Sequence, residues 1–200
     1  MKKLLVLLTA MLLLLTFSAS AETATVENVL YTSENANYSM MIPEDFLPVN
    51  DSYIEMVKSR IEKGLLPGVD EEMLAGMQAS LASVDLSQMD MILSRTLVGN
   101  INIQVQYMGV PGSLLSVYKD QLDEVNIKSY AVAGVTSDNI TTHDVEEIGN
   151  YNWYHLSCSM LGREIEQYIA ADETGLAYIL TFTGIDEADM ELILTTFQFE

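Results

Sequence analysis

The sequence predicts an α+β fold, in which an antiparallel β-sheet of about six to seven strands is flanked by helices. Two patterns carry this prediction. Residues 101–107 alternate apolar and polar side chains, which is the period of a half-buried strand. Residues 140–183 hold four β-prone runs separated by short turns, which is typical of an antiparallel meander. Between and after these strands, apolar residues recur at helical spacing and indicate the flanking helices.

The N-terminal elements are a hairpin and a helical pair. In "NVLYTSENANYSMMIP" two β-prone runs flank a polar turn, which predicts a hairpin. Residues 51–85 then change to helical spacing, with Gly64 as a helix stop and Asp70 as an N-cap. The apolar positions of this pair are Ile54, Val57, Ile61, Leu65, Leu74, Met77, Leu81 and Val84. The pair either covers the sheet or packs on itself as an appendage with a binding surface.

The remaining elements follow in order. Gly99 and Asn100 suit a two-residue turn before the strand at 101–107. Ser113 is the predicted N-cap of a helix that would bury one face, formed by Leu114, Tyr118, Leu122 and Val125. The meander comprises 140–148, 152–160, 163–171 and 175–183, with turns at Gly149-Asn150, Gly162-Arg163 and 172–175. A last helix begins after Asp186, and "FQF" can close as a short edge strand.

The N-terminus has the pattern of a secretory signal peptide. Two lysines precede a Leu-rich run that is shorter than a membrane span, and Ala19-Ser20-Ala21 follows as a small-residue cleavage site. We predict cleavage after Ala21, a single domain over residues 22–200, and a secreted or extracytoplasmic protein without a stable membrane anchor after cleavage.

The charge of the chain limits its partners. Nine Lys and Arg face 29 Asp and Glu, for a net charge of −20, and loss of Lys2 and Lys3 with the leader lowers it to −22. Such a chain repels nucleic-acid phosphates and anionic lipid headgroups. Nucleic acid is therefore excluded as a partner, whereas basic proteins, divalent cations and small molecules stay open.

The stretch "NYNWYHLSCSM" gathers chemically versatile residues, namely Trp153, His155 and Cys158, and the chain has no other Trp or Cys. On a regular strand His155 and Cys158 point to opposite faces, because they are three residues apart. A Cys–His dyad is therefore not expected. We expect Cys158 to be buried on a core face, formed with Tyr154, Leu156, Met160, Ile165, Ile169, Leu176, Leu180 and Phe182.

The opposite face is the candidate site, and its predicted members are Trp153, His155, Tyr168 and Ile179. These residues could line a shallow apolar groove for a ligand, or receive a flanking helix. The turn at 149–150 would place Asp144 opposite His155, and Glu146 opposite Trp153. An Asp–His pair can orient an imidazole for base chemistry, or it can be an ordinary cross-strand ion pair.

Motifs for other chemistry do not occur in the sequence. It contains no G-x-S-x-G motif and no zinc-type spacing of Cys and His. No catalytic residue, metal ligand or cofactor is therefore predicted.

Several features resemble the PsbP-like α/β sandwich family. They are a hairpin that leads into Pro43-Glu44-Asp45-Phe46, a meander that ends in "GLAYILTFTG", and a final helix followed by "FQF". The resemblance covers about residues 27–49 and 89–200, while the helices at 51–85 look like an insertion. It implies an antiparallel sheet flanked by helices and no shared catalytic residues. The family includes an extrinsic photosystem II subunit and many exported bacterial proteins of unknown role.

Three functions follow from these observations. The first is a secreted, acidic, non-enzymatic interaction or accessory module. The second is a small-molecule binding protein that uses the Trp153 face or the space under the 51–85 helices. A hydrolase that uses Asp144 and His155 is the remote alternative. An exposed apolar patch would favour the interaction module, and a deep pocket would favour the ligand-binding protein.

Overall fold

The structure is a computed structural model that describes residues 27–33, 36–49, 89–94, 99–132, 134–160 and 162–199. The predicted signal peptide at 1–21 and the predicted helical pair at 51–85 lie outside these residues. The described elements confirm the α+β class. The predicted single sheet of six to seven strands is replaced by two antiparallel sheets, of eight and three strands within the described residues.

The strands are short and follow the chain in three groups. Those of the N-terminal part are β1 (Asn28–Thr32), β2 (Tyr38–Pro43), β3 (Phe46–Pro48), β4 (Met89–Ser94) and β5 (Asn100–Tyr107). Those of the meander are β6 (Ile140–Thr142), β7 (Glu146–Ile148), β8 (Tyr151–Met160), β9 (Arg163–Ala171) and β10 (Leu176–Thr183). The last strand is β11 (Gln198–Phe199).

The larger sheet is the central layer of the molecule. Its order is β3-β4-β5-β10-β9-β8-β6, and β7 also pairs with β8. The predicted meander is therefore confirmed, with its first strand divided into β6 and β7. The smaller sheet has the order β1-β2-β11, so the predicted N-terminal hairpin and the terminal "FQF" strand come together in it.

Two helices cover opposite faces of the central sheet. Helix α1 (Lys119–Val132) lies on the face that carries Cys158, and the small sheet and helix α2 (Glu187–Thr196) lie on the face that carries Trp153. Asp186 occupies the N-cap position of α2, as predicted. Two separate apolar cores result, one on each side of the sheet. We call these two sides the Cys158 face and the Trp153 face.

Helix α1 differs from its prediction in start and in orientation. Ser113 lies in a 3-10 turn, Gly112–Leu114, and the α-helix begins only at Lys119. The buried side is formed by Leu115, Leu122 and Tyr130. Leu114 and Val125, which were expected on the buried face, are 40% and 61% exposed. Leu114 lies in the turn before the helix, and within the helix Leu122 and Tyr130 define the buried side, which Val125 does not share.

The start of β5 also differs from the prediction. Asn100 pairs with Leu93 inside the sheet, so Gly99 and Asn100 do not form a two-residue turn. The alternation in β5 predicted that one face of the strand is exposed to solvent, but Asn100 and Asn102 are each only 2% exposed. Both faces of this end of β5 are therefore buried.

Candidate functional site

Trp153 is part of the core on its face. Its side chain is fully buried, and its Nε1 donates a hydrogen bond to the carbonyl oxygen of Ile148 at 3.1 Å. Phe197, which follows α2, meets the indole edge to face, with ring centroids 5.5 Å apart and planes at 76°. The pair Glu146–Trp153 faces across the strands as predicted. The flanking helix and the small sheet therefore cover Trp153. This agrees with the second of the two predictions for this face, in which it receives a flanking helix.

Cys158 lies on the other side of the sheet from His155. The thiol is 3% exposed, and burial raises its pKa to about 11, with smaller contributions from Glu166 and Glu164. The thiolate is the reactive form of cysteine, so this environment suppresses reactivity near neutral pH. The prediction of a buried cysteine is confirmed.

Ile179 does not share a face with Trp153, and that part of the predicted site is wrong. Ile179 pairs with Ile169 and packs in the core that contains Cys158. The cause is the turn between β9 and β10. Asp172 and Leu176 face each other, which leaves a three-residue turn instead of the expected four, with Gly175 at φ +86°. A register shift of one residue moves every following side chain to the opposite face.

The same register shift also changes which residues of β10 share a face with Cys158. Three residues expected beside Cys158 instead join the core that contains Trp153: Leu176, Leu180 and Phe182. The other members of the predicted core face, including Tyr154, Leu156 and Ile165, do pack in the core with Cys158.

Asp144 does not lie opposite His155. Glu146 pairs with Trp153, and Thr142 pairs with Leu156, so three residues at 143–145 face two on β8. This is a β-bulge, in which one strand carries an extra residue. The bulge places His143 across from His155, with its backbone N–H donating to the His155 carbonyl at 3.0 Å. Asp144 is exposed on the bulge.

Three rings form a stack across neighbouring strands on the Trp153 face. His143 and His155 have ring centroids 4.0 Å apart with planes at 11°, and His155 and Tyr168 have centroids 4.1 Å apart with planes at 8°. The structure therefore brings together His155 and Tyr168, two of the four predicted site residues, with His143 added. We call His143, His155 and Tyr168 the ring stack.

The polar partners of the ring stack come from β8 and β9. Nε2 of His155 lies 2.6 Å from Oε2 of Glu166, and Nε2 of His143 lies 3.1 Å from Oγ of Ser157. The His155 and Glu166 side chains are 16% and 27% exposed. Burial lowers the pKa of His143, and the neighbouring His155 lowers it further. The ring stack is therefore a half-buried, hydrogen-bonded cluster at the open end of the face.

The pair Ser157 and His143 has the spacing of a nucleophile and its base. Acyl transfer also needs a group that orients the imidazole and donors that stabilise an oxyanion. Within the described residues, Ser157 is the side chain that hydrogen-bonds to His143. In the same part of the chain, no group of three or more His, Cys, Asp and Glu is arranged to hold a metal ion.

A second candidate site lies on the outer side of α1. Val117, in the turn before the helix, is 72% exposed, and Val125 and Val132 are 61% and 65% exposed. Val125 and Val132 are seven residues apart and lie two helical turns from each other on one side of α1. Leu114 adds a fourth apolar side chain. We call Leu114, Val117, Val125 and Val132 the α1 outer surface.

Some of the candidate site residues were not predicted from the sequence, and the reason differs between them. His143 and Ser157 could not be paired from the sequence, because the bulge shifts their register. The α1 outer surface has apolar residues at helical spacing, but the sequence alone does not show whether these residues or those of the buried side face the sheet. In the described part of the chain, no helix has the length and apolar character needed to cross a membrane.

Comparisons with solved structures give several matches, among them a protein from Bacteroides and a cyanobacterial one. No family model and no curated protein matches the chain. A crystal structure of a protein from Bacteroides thetaiotaomicron is 14% identical with a TM-score of 0.43, over 86% of this chain and 48% of that one. The chain thus spans about half the length of that protein. The solution structure of cyanobacterial PsbP from Synechocystis sp. PCC 6803 is 10% identical with a TM-score of 0.46, over 92% of this chain and 98% of that one. PsbP is the family that the sequence resembles.

Proposed function

We propose that the protein is a secreted or extracytoplasmic, non-enzymatic interaction module that binds a basic protein partner through the α1 outer surface. The observation that carries the proposal is the exposure of Val117, in the turn before α1, and of Val125 and Val132 on one side of α1, each above 60%. Apolar patches of this kind on soluble proteins commonly mark interaction sites. The Lys-Lys and Leu-rich N-terminus supports export.

Burial of this surface is a source of binding free energy. Transfer of a Val side chain out of water stabilises by roughly 1.5–3 kcal/mol when burial is complete. Residues at the centre of an interface contribute most to binding when the residues around them exclude water. The three valines are therefore the positions at which a substitution should affect binding most.

The negative charge of the chain favours a partner with a positively charged surface. Asp120 and Glu124 are exposed on α1 next to the valines, and the whole chain carries a net charge of −20. Lys128 on the same helix forms an ion pair with Glu124, which leaves Asp120 as an acidic group beside the patch. Opposite charges steer association and disfavour wrong partners. A partner with Lys or Arg around an apolar centre complements this surface.

The two other candidate functions lose their structural basis on the Trp153 face. A ligand site there would need access to Trp153, which Phe197 and the small sheet cover. A hydrolase would need Asp144 beside His155, and the bulge separates them. The ring stack is the part of that face that stays half-exposed.

The experiment is a binding assay with the parent chain and a triple variant, V117D/V125D/V132D. The immobilised proteins are exposed to the extracytoplasmic fraction of the source cells, and retained proteins are identified by mass spectrometry. We expect the parent to retain a basic protein that the triple variant does not retain. We also expect retention to weaken as the salt concentration rises, because screening weakens charge attraction between exposed groups.

The control is Leu30→Asp, which places one Asp, against three in the triple variant, on an exposed aliphatic position of β1. Leu30 is 67% exposed, and this exposed fraction is similar to those of the three valines. The control should retain the same basic protein as the parent. Equal retention by the triple variant and the parent would contradict the proposal, and so would loss of retention in both variants.

A further inference from the structure

The edge strand β6 is held on the central sheet by few contacts. It pairs with β8 through three residues, Ile140 to Thr142, and the bulge at 143–145 then interrupts the ladder. Edge strands and bulges are sites at which pairing is readily lost. The backbone hydrogen bond from His143 to His155, at 3.0 Å, extends the β6 pairing by one residue. His143 therefore occupies the last position of this weak ladder.

The side chain of His143 adds contacts at this end of β6, where the Thr142 hydroxyl also donates a hydrogen bond to Asp123 of α1 at 3.2 Å and accepts one from Lys119 at 3.4 Å. Its ring lies on the His155 ring at a centroid distance of 4.0 Å, and its Nε2 meets Ser157 Oγ at 3.1 Å. A neutral imidazole can stack in this way without electrostatic cost. Two protonated imidazoles at the same distance would repel each other. The contact is thus favourable in one protonation state and unfavourable in another.

Charged groups from four elements face His143. His155 on β8 and Lys119 on α1 disfavour a positive charge on it, and Glu166 on β9 and Glu146 on β7 favour one. Lys119 forms an ion pair with Asp123 at 2.7 Å. Glu166 is engaged by His155 at 2.6 Å. Of the two carboxylates that favour a charge on His143, Glu166 is therefore already engaged by His155.

We propose that His143 is a pH-sensitive latch that holds β6 on the central sheet when its ring is neutral and releases residues 140–145 on acidification. The device rests on the stack with His155, the bond to Ser157 and the short edge ladder. It goes beyond the proposed interaction function and does not depend on it, because the α1 outer surface lies on another element.

The sign of the effect follows from proton linkage. The pKa of His143 is lowered in the closed form, first by burial and then by His155. In the released form it returns toward the ordinary histidine value of about 6.5. The closed state is therefore favoured above that pH, and the preference is lost as the pH falls below it. Release can increase by at most tenfold per pH unit, or about 30-fold between pH 7.5 and pH 5.

Hydrogen exchange of the full chain, measured at pH 7.5 and pH 5 and corrected for the intrinsic exchange rate, tests the latch. We expect the opening of residues 140–145 to increase on acidification, by no more than about 30-fold between these two pH values. The amides of β10, in the middle of the sheet, serve as the internal reference and should change much less. Equal protection of residues 140–145 at both pH values would overturn the proposal.

Two variants separate the titration of His143 from general acid sensitivity. His143→Phe keeps a planar ring that can stack on His155, and His143→Gln keeps a hydrogen-bonding group for Ser157. Neither side chain titrates between pH 5 and 7.5, so both variants should lose the increase in opening. The same increase in either folded variant as in the parent would show that another group is responsible, and would overturn the proposal.

Discussion

At the scale of single residues, burial decides what the chemically versatile side chains can do. Cys158 and His155 are close in sequence, yet the sheet separates them, as the two-residue period of a strand predicts. The exposure of Cys158 is 3%, and its pKa is raised to about 11. The protein carries no other thiol, which makes this residue a clean reporter of the core on its face.

We predict that Cys158 resists alkylation by a small thiol reagent in the native protein at pH 7–8. The raised pKa leaves little thiolate, and burial blocks approach of the reagent. After denaturation the thiol should react at the rate of a free cysteine. Mass spectrometry of the labelled chain measures both states. Rapid labelling of the native protein would show that Cys158 is accessible and reopen its use in chemistry.

A second residue-scale prediction concerns Tyr38, which ties the small sheet to β4. Its buried hydroxyl donates to Asp90 Oδ2 at 2.5 Å, and Ser33 donates to the same oxygen at 2.5 Å. Burial and the Asp90 carboxylate raise the pKa of Tyr38. Tyr38→Phe should lower the free energy of unfolding by about 1.5–3 kcal/mol, because a bond to a charged group is lost.

Urea denaturation measures this loss, and Tyr178→Phe is the matched control. The Tyr178 hydroxyl lies 3.4 Å from the carbonyl oxygen of Asn37, a much weaker bond. The control should cost less than about 1 kcal/mol. Equal losses in the two variants would mean that the bond between Tyr38 and Asp90 does not stabilise the fold.

At the scale of elements, most strands and the last helix could be predicted from residue patterns, while their registers could not. The two-residue turn at Gly149-Asn150 correctly predicted that Glu146 pairs with Trp153. One extra residue in the bulge at 143–145 then exchanged Asp144 for His143 beside His155. One residue fewer in the turn before β10 moved Ile179 to the other face. Single-residue changes of this kind depend on tertiary packing and leave no periodic signal.

Helix α1 shows a related limit. The apolar spacing predicted a helix correctly, but both sides of the segment carry aliphatic residues. Leu122 and Val125 were expected together, and the structure buries the first and exposes the second. The sequence could therefore predict the element but could not tell its buried side from its exposed side.

An element-scale prediction concerns β8, which contributes to both cores. Leu156 is fully buried on the Cys158 face. Leu156→Ala should lower the free energy of unfolding by about 2–5 kcal/mol, through lost burial and the cavity left behind. Leu30→Ala, at a position that is 67% exposed on β1, should change it by less than about 0.5 kcal/mol. Chemical denaturation compares the two, and similar values would contradict the assignment of Leu156 to a packed core.

At the scale of the whole molecule, the described residues form one central sheet with a cover on each face. The Cys158 face is covered by α1, and the Trp153 face by α2 and the small sheet. The net charge of −20 is the property on which the proposal of a basic partner rests. Since both faces carry a core, the surface proposed for binding lies on the outside of α1.

The central claim is that Trp153 is covered by Phe197 and the small sheet, and this residue, the sole tryptophan of the chain, reports on its own burial directly. Trp153 is fully buried and packs against Phe197. Acrylamide quenching of the intrinsic tryptophan fluorescence should therefore be weak in the native protein and should rise strongly after unfolding in urea. If the native protein were quenched as readily as the unfolded chain, Trp153 would be open to solvent. That result would contradict the account and return the search for a ligand to the Trp153 face.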